Sequence, residues 1–147
     1  MTIDDLQARL GETIGSSEWY DIGQDRIDLF ADATDDHQFI HVDPERAKDS
    51  PFGQTIAHGF LTLSMLAPFL EKGFPMPPHE MKVNYGFDKV RFIAPVKSGR
   101  RIRGHFRLKD LVEKRPGQWQ ATSEVTVEIE GEDKPALIAD WILIIFL

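Results

Sequence analysis

An aspartate and a histidine stand five residues apart, at Asp36 and His41, in a segment (Asp36-His37-Gln38-Phe39-Ile40-His41) without the period of a helix or a strand. Helical neighbours meet at spacings of three or four, so these two side chains converge only where a loop turns both toward one point. Such a pair suits the addition of water across a polarised double bond. A base takes a proton from water as it attacks one carbon, an acid protonates the next, and Asp and His serve if burial adjusts their pKa values. Ile56-Ala57-His58-Gly59, with His58 seventeen residues after His41, opens an apolar helical pattern. Free backbone N–H groups and the dipole there favour an oxygen that gains negative charge. His58 itself reads as an orienting or core residue rather than a reactant. Taken alone, Asp36 and His41 also have a plain reading: a loop Asp making a turn and a His filling a crevice.

The elements that must position these residues follow from periodicity. Thr2 and Asp5 have capping-box spacing, with Ile3, Leu6 and Leu10 on one helical face before Gly11. A second helix is predicted from Gln24 to Thr34, with Ile27, Phe30 and Ala31 on its apolar side. Asp43-Pro44 reads as an N-cap and first helical position for a brief helix through Lys48, and residues 35–54 are otherwise expected to be mostly loop. From Thr55, the stripe Ile56, Phe60, Leu63, Leu66 and Leu70 predicts a deeply buried helix. Pro68 should kink or stop it close to Ala67. Gly73 to His79, with three prolines, ends the helical half.

Beyond it the period becomes two. Ile102, Gly104, Phe106 and Leu108 alternate with basic residues, and Trp119, Ala121, Ser123, Val125, Val127 and Ile129 alternate with polar ones. Turns fall at Lys97-Ser98-Gly99, Arg115-Pro116-Gly117 and Gly131-Glu132-Asp133, and such short connections favour antiparallel neighbours. The C-terminal run WILIIFL is too short for a membrane helix and reads as a core strand. An apolar helix followed by antiparallel strands is an α+β arrangement in which the sheet wraps the helix.

Composition narrows the function classes. The 147 residues match one ordinary domain. With no cysteine, disulfides, thiolate metal sites and cysteine nucleophiles are excluded. A net charge of −7 argues against non-specific nucleic-acid binding, so an anionic ligand would need a local basic patch. The first twenty residues lack the basic start and apolar stretch of a signal peptide, which points to a cytoplasmic protein.

The run Phe30-Ala31-Asp32-Ala33-Thr34-Asp35-Asp36-His37-Gln38-Phe39-Ile40-His41-Val42-Asp43, with Ala47, Pro51-Phe52-Gly53 and Ile56-Ala57-His58-Gly59-Phe60-Leu61, resembles the hydratase motif of MaoC-like dehydratases. The branch it most resembles includes nodulation protein N. Asn84-Tyr85-Gly86, Val90-Arg91-Phe92 and Pro95-Val96 extend the likeness over residues 14–147. The resemblance implies a single hot-dog domain over residues 1–147, with an antiparallel sheet around a long central helix, usually as a homodimer. It implies an R-specific enoyl-CoA hydratase that adds water to trans-2-enoyl-CoA without metal or cofactor. Carried over, the catalytic pair falls on Asp36 and His41, and Gly59 supplies a backbone donor to the thioester carbonyl. Gln38-Phe39 stands where Asn-Pro is common and Asp35 where glycine is common, differences that bear on substrate choice more than on reaction type.

Asn84 is a candidate substrate contact or a turn residue. Arg91, with the basic stretch Lys97 to Arg107, would meet CoA phosphates or form a solvated strand face. Three other readings remain. A metal hydrolase would use His37, His41, Asp36, Asp43 and His58, but needs a helix through residues 37–41. A hot-dog thioesterase would cleave the same ligand at its carbonyl, and a non-catalytic module would only bind an acyl chain or a partner.

Overall fold

The computed structural model describes residues 1–147. Helix α1 (Ile3–Gln7) has the capping box its spacing predicts: the Asp5 N–H donates to Thr2 Oγ1 at 3.1 Å and the Thr2 N–H to Asp5 Oδ2 at 2.7 Å. Strands β1 (Thr13–Ser16) and β2 (Tyr20–Ile22) follow, each too short for an alternation to show in sequence. Helix α2 (Gln24–Thr34) buries Ile27 and Ala31 and ends at Asp35, whose φ of 58° is left-handed. Asp tolerates that region better than most side chains. The glycine common at this position in the resembled family meets the same backbone requirement.

Two single-turn helices come next, α3 (Phe39–Val42) and α4 (Pro44–Ala47), the latter capped by Asp43 Oδ1 on the Arg46 N–H at 3.1 Å. Helix α3 corrects the loop expected there. Its turn is held from outside, since the Ile56 N–H donates to the Ile40 carbonyl at 2.9 Å. The helix expected from Thr55 begins only at Gly59. Ile56 instead bridges antiparallel to Lys97, and the Ala57 N–H donates to Val96 at 2.7 Å. The apolar stripe then runs through α5 (Gly59–Ser64) and α6 (Leu66–Gly73), broken at Met65. Pro68 has no N–H to offer the Ser64 carbonyl, but stands third in α6, where helical N–H groups lack partners anyway.

Four long strands complete the chain: β3 (Met81–Phe92), β4 (Arg100–Arg115), β5 (Gln118–Ile129) and β6 (Leu137–Phe146). The antiparallel sheet has the order β1-β4-β5-β6-β3, and β2 continues β1 along the same edge of β4. The turn at Lys97–Gly99 therefore does not join neighbours. It belongs to a crossover from one edge strand, β3, to β4, made necessary because β5 and β6 occupy the space between.

Alternate residues of β4, β5 and β6 face α6, among them Ile102, Phe106, Val125, Val127, Leu137 and Ile145, all fully buried with Phe69 and Leu66. The antiparallel sheet and the apolar helix it encloses form an α+β hot-dog fold. No helix is long and apolar enough to cross a membrane. On the opposite face the arginines of β4 pair across the strands, Arg103 with Glu128 at 2.7 Å and Arg107 with Glu124 at 3.8 Å.

The helix packs closely where side chains are missing. A Cβ on Gly104 would stand 2.9 Å from Phe69 Cδ2, and one on Gly15 would collide with the Gly73 carbonyl oxygen. Gly104→Ala should lower the unfolding free energy by about 1–3 kcal/mol in urea titrations. Gly15→Ala should cost more, because its obstacle is backbone and cannot rotate away.

Candidate active site

The left-handed turn at Asp35 releases the chain from α2, and the turn of α3 swings His41 inward until it is 7% exposed. Its Nδ1 lies 2.8 Å from the Ile56 carbonyl oxygen. A carbonyl only accepts, so Nδ1 carries the hydrogen and Nε2 is the nitrogen left with a lone pair in the neutral ring. Burial is the largest influence on His41 and lowers its pKa below the ordinary imidazole value, against the Ile56 hydrogen bond, which raises it.

His58 caps the start of α5 and is 2% exposed. Its Nε2–H donates to the backbone carbonyl of Asp36 at 3.0 Å, and its ring stacks on His41 with centroids 3.9 Å apart and planes 25° apart. Phe30 of α2 packs against His58 with centroids 4.9 Å apart. One polar atom each from Asp36, His41 and His58 lies within 4.8 Å of the others. The structure thus brings the Asp36 and His41 side chains together and adds a third residue beside them.

This trio is poorly arranged for a metal ion. Imidazole lone pairs lie in the ring plane, so those of two stacked rings lie in two separate planes only 25° apart. They do not converge on an ion at about 2.0–2.1 Å from each. Two of the four ring nitrogens are also engaged by carbonyls. Helix α3 begins at Phe39 and leaves out His37, whose Nε2 instead lies 2.8 Å from Asp32 Oδ1 at the surface. That hydrogen bond raises the His37 pKa.

Gly59 heads α5, where its N–H has no helical partner, and helps line an apolar cavity of about 210 Å³ with Phe52, Ile56, Ala57, Phe92 and Ala94. The dyad adjoins this cavity through Ile56, the acceptor for His41. Asn84 lies elsewhere: its Oδ1 accepts from Trp141 Nε1 at 2.8 Å, in a small recess with Leu63, Leu66 and Phe87. Arg91 is exposed on β3, opposite Ile138, and donates to the Val90 carbonyl at 3.0 Å. Its neighbour Phe92 is the residue of that pair that lines the cavity.

Sequence reasoning missed Gln24. Its Nε2 donates to the His41 carbonyl at 2.7 Å while its Oε1 accepts from Thr55 Oγ1 at 2.6 Å, strapping α2, α3 and the Ile56 segment together. No local pattern could reveal it, because its partners stand 17 and 31 residues away.

With the geometry in place, comparison with known proteins gives the family. Residues 5–132 match the family model described as MaoC like domain. The chain belongs to the MaoC-like domain family. It is 53% identical over 147 residues to nodulation protein N of Rhizobium leguminosarum bv. viciae, covering 99% of this chain and 91% of that protein. It is 47% identical over 142 residues to 3-hydroxyacyl-thioester dehydratase Z of Mycobacterium tuberculosis (strain ATCC 25618 / H37Rv), covering 97% and 94%. Among solved structures, the MaoC-like dehydratase from Rhodospirillum rubrum superposes with a TM-score of 0.81 at 21% identity, covering 99% of this chain and 97% of that one. The (R)-hydratase from A. caviae superposes at 0.74 and 22% identity, covering 90% and 95%. These two likenesses bear on the fold, a MaoC-like hot-dog.

His41 and His37 should titrate on opposite sides of pH 6.5 in NMR, His41 below and His37 above. For His41 the unfolded chain binds more protons between the lowered folded value and 6.5. Its contribution to stability is therefore full above 6.5 and lost as pH falls through the folded value. Unfolding free energies of wild type and His41→Gln, compared from pH 7.5 to 5, should converge toward the acid end.

Proposed function

We propose that this chain is a hydro-lyase, an R-specific enoyl-CoA hydratase that reversibly adds water to trans-2-enoyl-CoA to give (3R)-hydroxyacyl-CoA. The observation that carries this reading is a solvent-reachable carboxylate, Asp36, within 4.8 Å of a buried His41 whose ring hydrogen is committed to Ile56. The site adjoins an apolar cavity lined in part by Gly59, the first residue of α5. The relatives named as a thioester dehydratase and an (R)-hydratase support it.

In this mechanism the acyl chain enters the cavity and the thioester carbonyl accepts from the Gly59 N–H. Asp36 and His41 hold a water between them. Because burial keeps His41 neutral at neutral pH, its Nε2 takes a proton as the water oxygen bonds to C3. The C2=C3 electron pair moves through C2 onto the carbonyl oxygen, where Gly59 stabilises the enolate. The enolate then collapses and C2 takes the proton back from the dyad. The reverse sequence dehydrates a 3-hydroxyacyl thioester over the same barrier. Arg91, which has no acidic partner and borders Phe92, is the cation we assign to the phosphates of CoA.

A homodimer completes this reading. Asp36 is open to solvent, Phe60 and Phe92, 67% and 53% exposed, meet edge-on beside the cavity, and Tyr85, 67% exposed, lies seven residues further up β3 with Val83 and Ile144. Strand β3 carries two of these residues and pairs only with β6, which leaves one edge for a second copy. We place the protein, as one domain over residues 1–147, in the cytoplasm.

Purified protein mixed with crotonyl-CoA or a longer enoyl-CoA should bleach the absorbance of the conjugated thioester without releasing thiol. Asp36→Asn and His41→Gln should each slow it by about 10²–10⁴-fold. Thiol release would instead mark a thioesterase, and no turnover of either chain length by folded protein a binding module. Light scattering should report a dimer, and Tyr85→Lys should shift it toward monomer.

A further inference from the structure

His58 is buried more deeply than His41, yet the proposed reaction gives it no proton to move. Its Nδ1 is sealed within the protein without a hydrogen-bond partner. One ring nitrogen is thus enclosed and the other already donates to the Asp36 carbonyl, so the proton transfers are assigned to Asp36 and His41. What His58 does have is contact with every part of the site. Its Nε2–H holds the Asp36 main chain, its ring is the surface on which His41 lies, and its carbonyl carbon is bonded to the Gly59 nitrogen.

We propose that His58 is the positioning residue of this active site, fixing the Asp36 loop and the His41 ring at a set distance from the Gly59 N–H. The reasoning rests on the hydratase reading for its consequence in turnover, though not for its structural part. Asp36 lies in an exposed loop between two helices, and the only side chain its carbonyl meets is His58. Its own carboxylate holds the loop weakly, accepting from the Gln38 N–H at 3.4 Å. Without the His58 tether, the acid would move relative to both the base and the carbonyl donor. His41, held at Nδ1 by Ile56, would keep its hydrogen bond but lose part of its stacking surface. Misplacement of a reacting group by about 1 Å can cost about 100-fold in rate. Because His58 does not touch the acyl chain, ground-state binding should be spared.

Two substitutions separate the tether from simple packing. His58→Phe keeps an aromatic face for His41 but has no donor for the Asp36 carbonyl. His58→Gln places an amide N–H near the position of Nε2 and restores the donor. With crotonyl-CoA, His58→Phe should lose about 100-fold in kcat with little change in KM. His58→Gln should recover at least about tenfold of that loss, a rescue that packing alone would not produce.

Amide hydrogen exchange supplies a readout that needs no substrate. Exchange at the His41 N–H, which donates to the Gln38 carbonyl at 2.9 Å where the tethered loop enters α3, should quicken by about tenfold in His58→Phe and return toward wild type in His58→Gln. If the phenyl variant does not fold, as judged by circular dichroism, His58→Asn takes its place, since its shorter amide cannot reach the carbonyl. Unchanged kcat and unchanged exchange in a folded His58→Phe or His58→Asn would overturn the proposal, as would His58→Gln performing no better than His58→Phe. Wild-type protein that leaves enoyl-CoA untouched overturns the hydratase reading instead, and the exchange experiment still decides the tether.

Discussion

The packing of Phe69 and its neighbours into the hollow of the sheet is the constraint from which the rest of the structure follows. Phe69, Leu66 and Leu70 of α6 are buried against the inner faces of β4, β5 and β6, and Phe69 sits directly over Gly104. Burying such side chains stabilises the fold by roughly 1.5–3 kcal/mol each. It also sets the height of the helix above the sheet. The contact between Gly15 and Gly73 sets where the helix ends, because backbone meets backbone there with no room for a Cβ.

Once α6 is fixed, α5 and the extended segment before it have few places to go. The Ile56 strap joins the sheet end through Lys97 and Val96, and its remaining backbone groups serve the loop above it. The Ile56 N–H holds Ile40 and the Ile56 carbonyl holds His41 Nδ1. A single residue of the scaffold thereby positions the turn that carries His41 and selects the tautomer of its ring. Gln24 reinforces the same junction from α2. Rigid support of this kind lets a short polar loop carry chemistry.

The outer face of the sheet solves a different problem. Arginines alternate along β4, and each of Arg101, Arg103 and Arg107 has a glutamate opposite on or just beyond β5. Exposed pairs of this type contribute little stability, about 0–1 kcal/mol each. They do set these three arginines against neighbouring glutamates, so the alternation along β4 forms a paired, solvated face.

Much of this was legible in the residues alone. The Thr2–Asp5 cap, the Asp43 cap, the limits of α2 and the alternation of β5 are local features, and local spacing carries their information. The break before Pro68 was also visible to within two residues, because a missing N–H acts on its own helix. The motif named Asp36 and His41 as a pair, and the fold brings their side chains together. Tertiary structure alone decided that Thr55–His58 is a strap rather than a helical turn, since its partners Val96 and Lys97 lie some forty residues away. It alone separated Asn84 from the cavity and stacked His58 on His41. Spacing along a chain determines which side chains share a helix or strand; which elements then meet is determined by the burial of their apolar faces, a property of the whole fold.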